Sequence, residues 1–264
     1  PEEMEGVPHY LIDVLEPAEE FHVVRFQQMA KEALRQIRAN GHIPIVVGGT
    51  GFYIQALLYD IDFTENEAQT GIRAELEELA AREGAEKLHE LLAREDPKAA
   101  EEIHPHNVKR VIRALEFYRL TGTRISGHNE EQKAKESPYH FAYFVLNDDR
   151  ARLYERIDAR VDQMMEAGLL QEVERLKAEG LRRGMVSMQG LGYKELLSYL
   201  DGECSLEEAV RVLKRDTRHF AKRQLTWFRR ERDVIWLDRQ RFGCDDGAIL
   251  KEMLRILKEK EILS

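Results

Sequence analysis

The sequence predicts a parallel α/β fold with a second, all-helical region. Three observations predict it. The first sixty residues read strand, helix, strand, glycine loop, helix, an order in which the chain crosses back between neighbouring parallel strands. Residues 62–136 are highly charged, with helical spacing and no strand signal. Short β-rich segments then return at 141–147 and 234–237, separated by helices.

Tyr10–Val14 reads as a short strand. Val23–Ala39 reads as a helix with Phe26, Ala30, Ala33, Leu34 and Ile37 on one face, closed by Asn40-Gly41. Ile43–Val47, "IPIVV", is a continuous run of the kind seen in strands buried on both faces. "GGTG" follows at 48–51, then a helix over Phe52–Leu58. In the helical region, "IRAELEELAAREGAEKLHELLAREDP" and "NVKRVIRALEFYRLTG" carry the spacing; Asn107 suits an N-cap and Gly122 a stop. Phe141–Asn147 returns to strand. Helices follow near Arg150–Gly180, Tyr193–Leu200 and Ser205–Arg230, the last opened by Ser205 and Glu208 as a capping box. Val234–Leu237 is a final strand and Ala248–Lys260 a closing helix.

The 264 residues fit one or two domains, placed at 1–61 with 137–264 for the α/β core and 62–136 for the helical insertion. At 43% hydrophobic and 34% charged, the composition is globular and excludes long disorder. No window approaches a membrane span, and no signal-peptide pattern opens the chain. Cys204 and Cys244 lie far apart and form neither a CxxC pair nor a zinc set. A reduced cytoplasmic setting without membrane contact is therefore expected. The chain starts at Pro1 and runs directly into a strand-like segment, which reads as a trimmed start. The net charge of −9 excludes a bulk nucleic-acid coat but not a local basic face.

Five stretches carry candidate chemistry. "VVGGTGFY" places bare amides and the Thr50 hydroxyl at a helix N-terminus after a strand, which suits an anion or only a tight turn. Arg152, Arg156 and Arg160 share one helix face and can grip phosphate or form surface ion pairs. His104 and His106 lack a nearby third ligand, so a helix-entry turn is preferred over a metal site. "SMQGLGYKEL" has Gly190 and Gly192 before a helix, a ligand approach or a flexible connection. From Lys214 to Arg232 there are eight Lys/Arg against two acids. On a helical wheel Arg211, Arg215, Arg218, Lys222, Thr226 and Arg229 form a stripe that no acid interrupts, which favours phosphate contact. Leu213, Thr217, Phe220, Trp227 and Phe228 lie opposite as core. Gln224 sits amid that apolar side, where a buried amide requires a partner.

Together these stretches resemble the tRNA dimethylallyltransferases, the bacterial tRNA isopentenyltransferase family. The resemblance rests on "GVPHYLIDV", "PIVVGGTGFYIQALL", "IHPHNVKRVIRALE", "LYERIDARVDQMMEAGLLQEV", "MQGLGYKEL" and "TRHFAKRQLTWFRR", in the family's order across nearly the whole chain. It implies a P-loop-kinase-like parallel sheet core flanked by helices, with an inserted all-helical domain. The implied reaction moves a dimethylallyl group from dimethylallyl diphosphate to the exocyclic amine of an adenosine. That adenosine lies 3′ of the anticodon in tRNAs reading codons that begin with U. Mg²⁺ is the implied cofactor, the anticodon stem-loop of tRNA the implied partner, and a monomer the implied state.

Carried onto this chain, the resemblance places Thr50 at the RNA and reaction channel and Arg160 on the departing pyrophosphate. It assigns RNA contact to Arg73, to Val108, Lys109, Arg110, Val111 and Ile112, and to Gln189, Gly190, Leu191, Gly192, Tyr193 and Lys194. The same holds for Lys222, Arg223, Gln224, Leu225, Thr226, Trp227, Phe228 and Arg229. The family's P-loop and its aspartate in a "DSMQ"-type segment lie upstream of "GVPHYLID" and are absent from these residues, so the chain as written is expected to be incomplete for catalysis. Two competing classes are a small-molecule P-loop kinase or NTPase, and a non-catalytic tRNA-binding module. "KRQLTWFRR" and "QGLGYKEL" have no role in the first.

Overall fold

Helix α1 (Val23–Ala39) begins where the His22 ring accepts a hydrogen bond from the Arg25 amide, and it ends at Asn40 and Gly41. The computed structural model describes residues 4–63 and 71–263. The stretch 64–70, expected at the start of the helical region, lies outside the described residues. Ala30 and Ala33 of α1 are buried as the spacing predicts. The glycine loop leads into α2 (Gly51–Leu58), whose Ala56 and Leu57 are buried.

The two N-terminal strand expectations fail. No ladder forms at 10–14, where Leu11 and Asp13 take positive φ. Ile43–Val47 is also unpaired, with Ile45 83% and Val47 90% exposed. β-branched composition reports a fit to a pleated, half-buried surface, not the presence of a neighbour to pair with. Among the described residues the two strands pair only with each other.

The chain divides into two compact units, residues 1–57 with 139–264, and residues 58–138. In the second, every described element is a helix: α3 (Gly71–Glu83), α4 (Ala85–Glu95), α5 (Pro97–Glu102), α6 (Val108–Thr121) and α7 (Ile125–Ala134). Its core gathers Leu76, Leu88, Leu92, Val111, Ile112 and Leu115. Gly122 ends α6 at φ +69, as expected. Asn107 occupies the N-cap position, but its side chain makes no cap bond; its carbonyl instead accepts from the Arg110 and Val111 amides.

Asp96 is the polar pin of this unit. Its buried carboxylate caps α5 through the Ala99 amide at 3.1 Å and accepts from the Ser126 amide at 3.0 Å and the Ser126 hydroxyl at 2.7 Å. Burial works to raise its pKa, but the bonds from Ser126 and Ala99 outweigh it and hold the group below the ordinary value. Asp96→Ala is expected to cost about 2 kcal/mol at neutral pH, the size of charge-assisted bonds lost with their donors left buried. A carboxyl whose folded pKa is depressed stabilises fully above its unfolded pKa and loses that contribution as pH falls through the folded value. The gap between wild type and variant in denaturant melts should therefore close as the solution is acidified. A gap independent of pH would show that the charge contributes nothing.

The first unit resumes with β1 (Tyr143–Asn147), parallel to β2 (Val234–Asp238) in the register Tyr143↔Val234 through Asn147↔Asp238. Between them run α8 (Arg150–Glu166), α9 (Leu169–Ala178), α10 (Tyr193–Leu200) and α11 (Leu206–Phe228); α12 (Asp246–Glu259) closes the chain. The single helix expected over 150–180 is two, broken at Gly168 in the left-handed region. Val161, Leu169, Val173, Leu176, Met188, Leu196, Leu197 and Leu213 bury the facing sides of α8–α11. Each such side chain contributes roughly 1.5–3 kcal/mol on leaving water. Ser205 caps α11 through the Glu208 amide, as expected for the hydroxyl half of the box; the Glu208 carboxylate turns to Arg211 instead. The architecture is thus a helix-rich α/β chain with a small parallel sheet.

Candidate functional site

Two of the stretches singled out in the sequence meet. The Gln224 amide on α11 donates to the Gly49 carbonyl at 2.8 Å, across 175 residues of chain. A Cβ on Gly49 would lie 2.1 Å from Gln224 Nε2, and one on Gly51 would lie 2.2 Å from Trp227 Cδ1. Only glycine admits this closeness of backbone to side chain. Phe52 meets the Trp227 ring edge-on at 6.3 Å. A second glutamine, Gln27 of α1, donates to the Ala56 carbonyl at 2.7 Å and ties α2 from its other end. Thr50 lies exposed between the two clamped glycines, and its carbonyl accepts from the Tyr53 and Ile54 amides to start α2.

Beside this junction runs a groove of about 450 Å³ lined by His219, Lys222, Arg223, Thr226, Trp227 and Arg230. No acid lines it. Among the described residues Lys222, Arg223, Arg229 and Arg230 have no ion-pair partner, while Arg223 stacks over Phe220 at 5.8 Å. The first half of the stripe differs from expectation. Arg211 pairs with Glu208 at 2.6 Å and Arg215 with Asp216 at 2.8 Å. Arg218 grips both oxygens of Asp158 at 2.5 and 2.8 Å, and Lys214 reaches Asp162 at 2.6 Å. The helical wheel excludes acids from the stripe itself, but not those beside it or on α8. The uncompensated charge is therefore confined to the last two turns of α11 and the residues just beyond.

The opposite face needs two corrections. Phe220 and Trp227 are each 38% exposed and are surface aromatics, not core. Phe228 is buried against Tyr143 of β1, at 6.2 Å edge-on, the one of these three aromatics that is core as expected. Leu225 is half-buried, and the Thr226 hydroxyl bonds back to the Lys222 carbonyl at 2.9 Å.

The 187–194 stretch is a built helix entry, not a flexible connection. Gly192 is buried at φ +99 and caps α10, with its amide held by Glu195 Oε2 at 2.9 Å. Leu191 packs on the α8–α11 core. The Tyr193 hydroxyl donates to Glu172 at 2.6 Å; burial first, then that carboxylate, pushes its pKa up to about 12. Lys194 lies between Glu195 at 3.2 Å and Asp216 at 3.7 Å. Gln189 and Gly190 stay exposed.

In the helical unit Lys109 and Arg110 are exposed and Val108 half-buried, whereas the Val111 and Ile112 side chains are buried in the core. On a helix, neighbours one apart project 100° from each other, so a five-residue segment cannot all face one partner. Arg73 is bidentate to Glu116, at 3.1 and 2.6 Å, and Glu116 is only 3% exposed. The His104 ring accepts from the His106 amide at 3.2 Å, the local bond of a turn. Among the described residues no three His, Cys, Asp or Glu side chains converge to hold a metal ion.

On α8, Arg156 lies 3.6 Å from the buried Asp148, which Arg239 also approaches at 3.9 Å. Arg160 is exposed and unpaired among the described residues. Helical geometry sets it across α8 from Asp158 and Asp162, the two acids that clasp α11. Sequence reasoning missed that clasp and Gln27; the signal for Gln27 was the same as for Gln224, a polar residue within an apolar face.

The model of the IPP transferase family matches residues 1–231. A tRNA dimethylallyltransferase of Lachnoclostridium phytofermentans is 65% identical over 263 residues, covering 100% of this chain and 84% of that protein. The chain belongs to the IPP transferase family. This family member is an enzyme, a prenyltransferase. Its fold matches the crystal structure of tRNA isopentenylpyrophosphate transferase from Bacillus halodurans at TM-score 0.69 and 42% identity, over 98% of this chain and 80% of that one. It also matches a eukaryotic dimethylallyltransferase acting on tRNA, at TM-score 0.76 and 30% identity, over 90% and 61% of the two chains. At the junction of the glycine loop with α11, the loop that bears the exposed Thr50 meets the helix that lines the cationic groove.

Proposed function

We infer that this prenyltransferase transfers a dimethylallyl group from dimethylallyl diphosphate to the exocyclic amine of the adenosine 3′ of the anticodon in tRNAs reading codons that begin with U. The observation that carries the reading is the cationic groove of α11 joined through Gln224 and Trp227 to the loop that bears Thr50. The groove suits a phosphate backbone, because its cations are exposed and uncompensated. The adjoining loop is where a base lifted out of its stack would lie, as base chemistry in RNA requires.

In the step itself the C1–O bond to pyrophosphate breaks with its electron pair going to the leaving oxygen, the N–C1 bond forms, and the amine's proton passes to solvent water. Negative charge grows on the leaving oxygens, so cations already in place there do most of the work. Arg160 takes that role in this reading and Thr50 orients the base, with Lys222, Arg223 and Arg229 on RNA phosphates. Gln189 adds to the RNA contacts of this unit, and Lys109 and Arg110 offer RNA contacts on the helical unit. The reading includes a P-loop-kinase-like core with an inserted helical domain, acting as a monomer in the cytoplasm; no described helix is long and apolar enough to cross a membrane. Mg²⁺ fits poorly to the described residues, among which no three His, Cys, Asp or Glu side chains converge to hold a metal ion.

The test is direct. Protein, dimethylallyl diphosphate and a tRNA of the stated class should yield one dimethylallyl-adenosine per tRNA on nucleoside mass spectrometry. Phosphoryl transfer to a small molecule without RNA, and no allyl transfer, would replace this reading with the kinase class.

A further inference from the structure

The sequence resemblance counts Gln224 and Trp227 among residues that contact RNA, and both side chains also touch the glycine loop. Gln224 Nε2 is spent on the Gly49 carbonyl at 2.8 Å. The Trp227 indole lies where any side chain on Gly51 would have to be, with Nε1 at 2.3 Å and Cδ1 at 2.2 Å from that virtual Cβ. Both contacts come from the α11 turns that also carry Lys222, Arg223 and Thr226 into the groove. We propose that Gln224 and Trp227 are positioning residues: they fix the 48–51 loop to α11, and so set Thr50 at a constant distance from the cations that hold the substrate RNA. The proposal rests on the RNA reading above for its purpose, though not for its geometry.

The physical logic is preorganisation. A one-ångström drift of an orienting group can cost about 100-fold in rate without loosening substrate binding. A glycine-rich loop has the largest backbone freedom to lose, so it needs an anchor. Gln224 supplies a hydrogen bond to the carbonyl just before Thr50, and Trp227 blocks the space just after it. α11 is itself held to α8 by Arg218–Asp158 and Lys214–Asp162. The loop is thereby attached to a braced helix and not to a free one.

The close contact supplies its own test. Gly49→Ala forces a Cβ into Gln224 Nε2, and Gln224→Ala removes what it strikes. At saturating tRNA, Gly49→Ala and Gln224→Ala are each expected to lower the single-turnover rate about tenfold or more, with anticodon stem-loop affinity held. Gln224→Glu keeps the length but replaces the donor by a carboxylate facing a carbonyl, so it should not recover the rate. In the double variant the losses should not multiply, because one contact cannot be broken twice. Hydrogen exchange read without RNA or diphosphate should show faster exchange at the Tyr53 and Ile54 amides in Gln224→Ala. Weakened RNA affinity with an unchanged saturated rate would overturn the proposal and return Gln224 to the RNA surface. Fully multiplicative losses, or unaltered exchange, would overturn it equally. Wild-type protein that transfers no allyl group would refute the functional reading alone, and the exchange experiment would still decide the clamp.

Discussion

Arg160→Ala is expected to lower the single-turnover rate of allyl transfer by about 100-fold or more, the usual cost of removing one preorganised charge from a developing anion. Affinity for tRNA should change little, since Arg160 belongs to the leaving group in this reading and not to the RNA. The structure makes the experiment clean. Of the three arginines on that face, Arg156 is engaged with buried Asp148, so its removal would leave that carboxylate to Arg239 alone, at 3.9 Å. Arg160 is exposed and pairs with nothing among the described residues, so its loss disturbs no internal contact. The α8–α11 clasp uses Asp158 and Asp162, on the opposite face. Arg160→Lys should restore only part of the rate, because an ammonium cannot match the two-pronged geometry of guanidinium on pyrophosphate oxygens. An unchanged single-turnover rate in Arg160→Ala would remove this residue from the mechanism, and Arg152, also exposed on the ladder, would be the next to test.

What the sequence reveals and what it hides follow a physical line. The 3.6-residue period and the cap residues locate α1 and α10 to the residue, and α11 to within two, because those signals act within a few residues of themselves. Ile43–Val47 has the composition of a strand but forms none, because a strand is a relation between segments and one segment's composition cannot report its neighbour. The first half of the basic stripe is neutralised for the same reason. Asp158 and Asp162 lie more than fifty residues from Arg218 and Lys214 in sequence, yet neutralise them in space. Val111, Ile112 and Phe228 show what a contiguous motif cannot convey: helix periodicity turns some of its side chains inward. Gln224 is the opposite case. A polar residue on an apolar face demands a partner, and that demand was legible before the partner, the Gly49 carbonyl, was known.

The division of α11 into a neutralised half and a free half leads to the second large effect. Replacing Lys222, Arg223 and Arg230 together by Ala should weaken anticodon stem-loop binding by about 100-fold at low salt and flatten the slope of log K against log salt by about 2–3. Each phosphate contact releases counterions worth roughly 0.7–0.9 of that slope. The gap from wild type should shrink as salt rises. The three side chains are exposed or line an open groove and have no ion pairs among the described residues. Their loss should move stability by no more than about 0.5 kcal/mol each, and the saturated transfer rate should survive. The control lies on the same stripe. Arg211→Ala with Arg215→Ala removes two charges already compensated by Glu208 and Asp216, so it should leave the slope near wild type. A charge count along the sequence gives the two variants similar weight; the structure separates them. Equal slopes in the triple variant and wild type would show that the groove does not hold RNA phosphates. Equal effects of the two variants would show that the acids beside Arg211 and Arg215 release their partners when RNA arrives.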